Sequence, residues 1–203
     1  MKGPYRVAAL IVVGIVAAIF NPLTESSTPE RNHSAGTLPV DVQLDEQGNY
    51  TGFSDLPLNY SFEDAKKAGY IAEQDSVIVA NRELWDRFVA SAAAGRNSSV
   101  RIFTALTKDG SHPAIRDLYL QDGYYYLFDS DSDSRNVDGF SYLLTLEGQF
   151  GNPKKDRTIV VITDDRTLTF DTIMKSILSS NMEFIKSVSP YKLVFFNLQF
   201  EEK

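Results

Sequence analysis

Residues 99–129 read SVRIFTALTKDGSHPAIRDLYLQDGYYYLFD, and this stretch decides the fold. From Ser99 to Thr107 the side chains alternate, with Val100, Ile102, Thr104 and Leu106 on one side and Arg101, Phe103 and Ala105 on the other. That period of two is a strand. Asp109-Gly110 then turns the chain into Ala114–Gln121, and Asp122-Gly123 turns it again into Tyr124–Asp129. Asp-Gly between alternating runs is the hairpin signal, because both turn positions need a positive φ that these residues tolerate. Three antiparallel strands in succession are the expectation.

Downstream, Phe140–Leu146 and Thr158–Thr163 read as two more strands, separated by a polar loop with Gly148, Gly151, Asn152 and Pro153. Thr169 caps a helix in which Phe170, Ile173, Met174, Ile177 and Leu178 form one apolar stripe to lie across a sheet. Tyr191–Phe200 alternates again and is expected to add an edge strand. Upstream, Ser61 with Asp64 starts a short helix that Gly69 ends. Val77, Ile78 and Val79 make a strand, and Asn81 caps a helix carrying Leu84, Trp85, Phe88, Val89 and Ala92 as far as Gly95. These elements predict an α+β domain over residues 58–203, a single antiparallel sheet of five or six strands with two or three helices packed on one face.

Before that domain the composition changes. Residues 21–57 are rich in Pro, Ser, Thr, Glu, Asn and Gly and read as a flexible polar linker; Val40, Val42 and Leu44 alternate within it, as a short edge strand would. Lys2 and Arg6 precede an unbroken apolar run from Val7 to Phe20, closed by Asn21-Pro22. This is the pattern of an export signal over residues 1–20, cleaved as a signal peptide or kept as a signal anchor. Both readings place the rest outside the cytoplasm: at the cell membrane as a single-pass protein held by its N-terminal helix, or secreted.

The chain carries 27 acidic and 20 basic side chains, a net charge of −7, which becomes −9 once Lys2 and Arg6 are set aside. Nucleic acid is not an expected partner, because phosphate contacts need clustered Lys and Arg. The absence of cysteine removes disulfides, thiolate metal sites and a cysteine nucleophile. Asp129, Asp131 and Asp133, with Asp138 after them, resemble the first half of a calcium loop. Ser134 and Phe140 stand where that loop needs its glycine and its bidentate glutamate, so a solvated turn is the expected use of the four and calcium is a weak cofactor expectation. His33 and His112 fall in the linker and in a turn, and no nucleophile-elbow, zinc-protease or phosphate-loop motif occurs. Asp164-Asp165 and Glu63-Asp64 are paired carboxylates at places where turn or helix-start chemistry already wants them. Tyr119, Tyr124 and Tyr126 lie on the paired strands, bordered by Arg101 and Arg116. An open sheet face carrying these five would suit a protein or glycan partner, and cross-strand packing is the competing use of the rings.

Tyr60-Ser61-Phe62-Glu63-Asp64-Ala65 with Gly69, Asn81 with Trp85 and Phe88, Val100-Arg101-Ile102, Asp117-Leu118, Asp122-Gly123, Asp131 to Arg135 and Ile177-Leu178-Ser179-Ser180 together resemble small exported domains of unknown function from Gram-positive bacteria. The likeness covers roughly residues 58–181. It implies an extracytoplasmic domain and no particular reaction. Many such domains are lipoproteins, and this chain departs from them in having no cysteine to carry lipid. The expected function is a noncatalytic binding module, membrane-tethered or secreted. The alternative is a cell-envelope hydrolase that works with carboxylates, with or without a bound cation.

Overall fold

In the computed structural model, which describes residues 38–54, 56, 60–105, 113–132 and 137–200, the strands divide between two sheets. The first part of the domain runs α1 (Phe62–Lys67), β1 (Ile71–Gln74), β2 (Val77–Ala80), α2 (Arg82–Ala93), β3 (Ser98–Ala105), β4 (Pro113–Gln121) and β5 (Tyr124–Asp129). The second runs β6 (Tyr142–Phe150), β7 (Lys155–Thr163), α3 (Phe170–Leu178), α4 (Met182–Ser187), β8 (Tyr191–Phe195) and β9 (Gln199–Phe200). The larger sheet has the order β5-β4-β3-β1-β2-β9 and the smaller β6-β7-β8. The α+β class holds, but the single antiparallel sheet does not. The six-stranded sheet is mixed: β1 runs parallel to β3, and β2 parallel to β9. Helix α2 carries the chain back after the β1–β2 hairpin, and that return makes the β1–β3 pair parallel.

Local chemistry fixes the joints. Ser61 and Asp64 form a reciprocal capping box at α1, and Gly69 (φ 76°) follows its end. Asp122 (φ 53°) and Gly123 (φ 85°) are both left-handed, as a tight hairpin turn requires, whereas the Asp109-Gly110 turn lies outside the described residues. Asp75 and Ser76 adopt the same left-handed pair without glycine, joining β1 to β2. Asn81 does not cap α2. Its side chain donates to the carbonyl oxygens of Lys66 (3.1 Å) and Tyr70 (2.7 Å), satisfying acceptors at the end of α1.

The sheets lie in layers. The inner face of the larger sheet, with Ile71, Ile102, Leu118 and Leu120, packs with Val160, Ile162 and Val194 of the smaller, and Trp85 and Phe88 of α2 join that core. On the far side of the smaller sheet, Ile159 and Val161 meet Phe170, Ile173 and Met174 of α3. The outer face of the larger sheet is covered as well. Ala65 of α1 lies over Phe103 and Ile115, and Tyr50 lies over Tyr119 and Phe128. Residues 38–54 of the segment read as linker therefore form a strap on the sheet, with Tyr50 5% exposed. The Tyr191–Phe200 stretch does more than add one edge, since β8 belongs to the smaller sheet and β9 to the larger. Among the described residues no helix is long and apolar enough to cross a membrane, and the Val7–Phe20 run lies outside them.

Candidate functional site

Strand β4 places two ionic clusters back to back. On the outer face Arg101 grips Asp117 in a two-point pair, Nε to Oδ1 at 2.7 Å and Nη2 to Oδ2 at 2.6 Å, while Nη2 also donates to the Gly52 carbonyl at 2.6 Å. The Tyr50 hydroxyl donates to Asp117 and lies 2.8 Å from the Tyr119 hydroxyl; its ring stacks on Phe128 with centroids 3.8 Å apart. On the inner face Arg116 Nη2 donates to Glu73 Oε2 (3.0 Å) and to Thr104 Oγ1 (2.6 Å), and Thr104 donates on to Glu73 at 2.7 Å. Arg116 Nη1 also bonds the Val194 carbonyl, so this cluster ties the two sheets together.

These contacts overturn the expectation of an open tyrosine-bearing face. Tyr119 is fully buried, Arg101 is 8% exposed and Arg116 turns to the interior between the sheets. Tyr126 is half-buried with its ring against Gly139, and of the five residues only Tyr124, at the hairpin turn, stands in solvent. The strap supplies the cover. Burial, and then the Asp117 charge, push the Tyr50 and Tyr119 hydroxyls far above the usual phenol range, so neither gives up a proton near neutral pH. Burial also pushes the Asp117 carboxyl up, against the pull of Arg101 and the Tyr50 hydroxyl. Burial pulls the Arg101 guanidinium down, but its bonds to Asp117 outweigh that and raise it overall, so it stays charged.

The aspartate run behaves as a turn where it is described. Asp129 Oδ1 accepts the Asp131 N–H at 2.9 Å, Asp131 and Asp138 are exposed, and Asp133 lies outside the described residues. Among the described residues no three carboxylates or histidines gather as a metal site. Asp129 lines a polar recess of about 650 Å³ with Asp45, Asn49, Thr51 and Ser132. Both Asp45 oxygens accept bonds within their own loop, from Gln47 and Asn49. Asp164 and Asp165 are engaged elsewhere, by Ser141 and by Thr167 and Ser189, and His112 lies outside the described residues.

A second, more apolar concavity is one that the sequence did not indicate. The C-terminal end of the α3 stripe is left uncovered: Ile173 is buried, but Ile177 is 45% and Leu178 65% exposed. After Ser179-Ser180 the short helix α4 begins with Met182, 59% exposed. Phe150, Phe170, Met174, Leu178 and Phe184 line a groove of about 580 Å³, with Asp171 and Lys175 also on its wall. Phe170 sits so closely over Gly148 that a Cβ there would lie 2.2 Å from its ring, so the glycine is what lets α3 seat on β6. The sequence signal was the stripe itself, whose last residues, Ile177 and Leu178, remain exposed in the fold.

No family model, no curated protein and no solved structure matches this chain.

Proposed function

We propose that the chain is an extracytoplasmic binding module, delivered by its N-terminal apolar segment and held at the membrane or released. It works by docking an apolar segment of a protein partner in the α3–α4 groove. The observation that carries this reading is a groove lined by Phe150, Phe170, Met174, Phe184 and the 65%-exposed Leu178. Charges of both signs, Asp171 and Lys175, line it, which suits a polypeptide better than an anionic lipid surface. Export is supported by the Lys2/Arg6 and Val7–Phe20 pattern and by the resemblance to exported domains. The buried ionisable groups favour binding over catalysis, because Arg101, Asp117, Glu73 and Arg116 are committed to one another. The hydrolase alternative has the Asp129 recess in its favour, but there Asp45 is already used by its own loop.

A photo-crosslinking residue placed at Leu178 in the full chain, in intact cells, tests the reading. Crosslinks to a discrete protein, lost when Phe184→Glu is added and not reproduced from exposed Arg87, support it. Crosslinks to lipid alone, or labelling equal to that from Arg87, would sink it.

A further inference from the structure

Strand β6 is the outer strand of the smaller sheet, and it pairs with β7 over all nine residues, Tyr142↔Thr163 to Phe150↔Lys155, without a bulge. Among the described residues nothing pairs with its other edge. Proteins protect such edges with lysine, proline, bulges or brevity. β6, reading YLLTLEGQF, has no proline and no basic residue, and Glu147 is its one charge. Its backbone groups are therefore presented in a straight, unguarded row.

The residue order says what fits that row. If a second copy of β6 lies antiparallel with Leu146 opposite Leu146, all nine residues find a partner. Tyr142 then faces Phe150, Leu144 faces Gly148, and Thr145 faces Glu147. The two glutamates do not oppose each other, whereas moving the centre to residue 147 would set them face to face. The same parity pairs across the axis, so Leu144 and Leu146, which lie on the α3 side, continue one apolar face into the other copy. Leu144 would complete the layer around Gly148, which Phe170 already covers.

We infer that β6 is a self-recognition edge: two copies of the chain pair antiparallel through Tyr142–Phe150 about a two-fold axis at Leu146, joining two three-stranded sheets into one of six. This pairing meets the α3–α4 groove at Gln149 and Phe150 but does not rest on the groove reading. Thr145 and Glu147 are both exposed, on the side away from α3, so their substitution tests the edge without disturbing the core.

The test uses the full chain in mild detergent, followed by sedimentation velocity over a concentration series. A dimer is expected. Thr145→Glu places a glutamate opposite Glu147 of the other copy, twice per dimer, and is expected to weaken association about tenfold. Thr145→Lys forms the opposite-charge pair and tightens it by a similar factor. Circular dichroism of both variants should match the parent. A chain that stays monomeric up to about 100 μM overturns the inference. So does a dimer that responds to neither substitution, since its contact then lies elsewhere.

Discussion

Arg116 and Asp117 are consecutive in β4 and hold ion pairs on opposite faces of one sheet, Arg116 with Glu73 at 3.0 Å and Asp117 with Arg101 at 2.6 Å. The arrangement fixes register as well as charge. A one-residue slip of β4 would turn Asp117 toward the face of Glu73 and Arg116 toward that of Arg101, setting like charges together under cover. A wrong register is thus penalised on both faces at once.

Removing one partner should therefore be costly. Asp117→Asn leaves the Arg101 guanidinium buried without its counter-charge, and about 3–5 kcal/mol of unfolding free energy is expected to be lost. Equilibrium urea unfolding measures it. A loss under about 1 kcal/mol would mean that solvent already reaches the pair.

Tyr50 is the buried anchor of the strap, which Val42 and Gly52 also tie to Gln121 and Arg101 of the sheet. Tyr50→Phe keeps the stack on Phe128 and removes the bond to a charged acceptor, for an expected loss of about 1.5–3 kcal/mol. Tyr50→Ala removes both, and early proteolytic cleavage within residues 38–54 should follow while the rest of the domain resists. Uniform digestion throughout the domain would count against a separately docked strap.

Gly148→Ala brings a Cβ to 2.2 Å from the Phe170 ring. The ring or the helix must move, at about 1–3 kcal/mol. Thermal unfolding should show the loss, and the same change combined with Phe170→Leu should recover part of it. An unaltered melting temperature would show that α3 is not seated on β6.

Acid should loosen two turns. The Asp45 carboxyl is held below its ordinary 3.8 by the Asn49 side chain and by loop N–H groups, and Asp165 below the same value by Thr167 and Ser189. A carboxyl depressed in the fold contributes stability above its unfolded pKa and loses it as pH falls through the folded one. The melting temperature should decline on acidification below about pH 4, and less steeply in an Asp45→Asn, Asp165→Asn double variant. Equal slopes for the two proteins would exclude these turns as the acid-sensitive points.

What could be read from the sequence was whatever is settled within a few residues. The Ser61–Asp64 box, the Asp122-Gly123 turn and the α3 stripe all depend on near neighbours, and all stand in the fold. Strand β1 escaped notice because Glu73 and Gln74 look like surface; Glu73 is buried only because Arg116, 43 positions on, receives it. Asn81 had the composition of a cap but is drawn to carbonyls at the end of α1. Alternation showed that β4 and β5 have two unlike faces, but not that the strap would cover the outer one. Tyr50, whose partners Asp117 and Tyr119 lie 67 and 69 positions away, looked like part of a linker. The groove went unseen because periodicity shows an apolar stripe but not which of its residues a neighbour such as Phe150 or Phe184 will leave uncovered.

The passage of the last strands from one sheet to the other also sets a schedule. Gln199 and Phe200 pair with Val77 and Ile78, so the edge of β2 finds its neighbour only after about 120 further residues have been made. Synthesis runs from the N-terminus, and closing so long a loop is slow. Throughout that interval β2 presents an open edge to any strand nearby, and the arrival of two residues ends it.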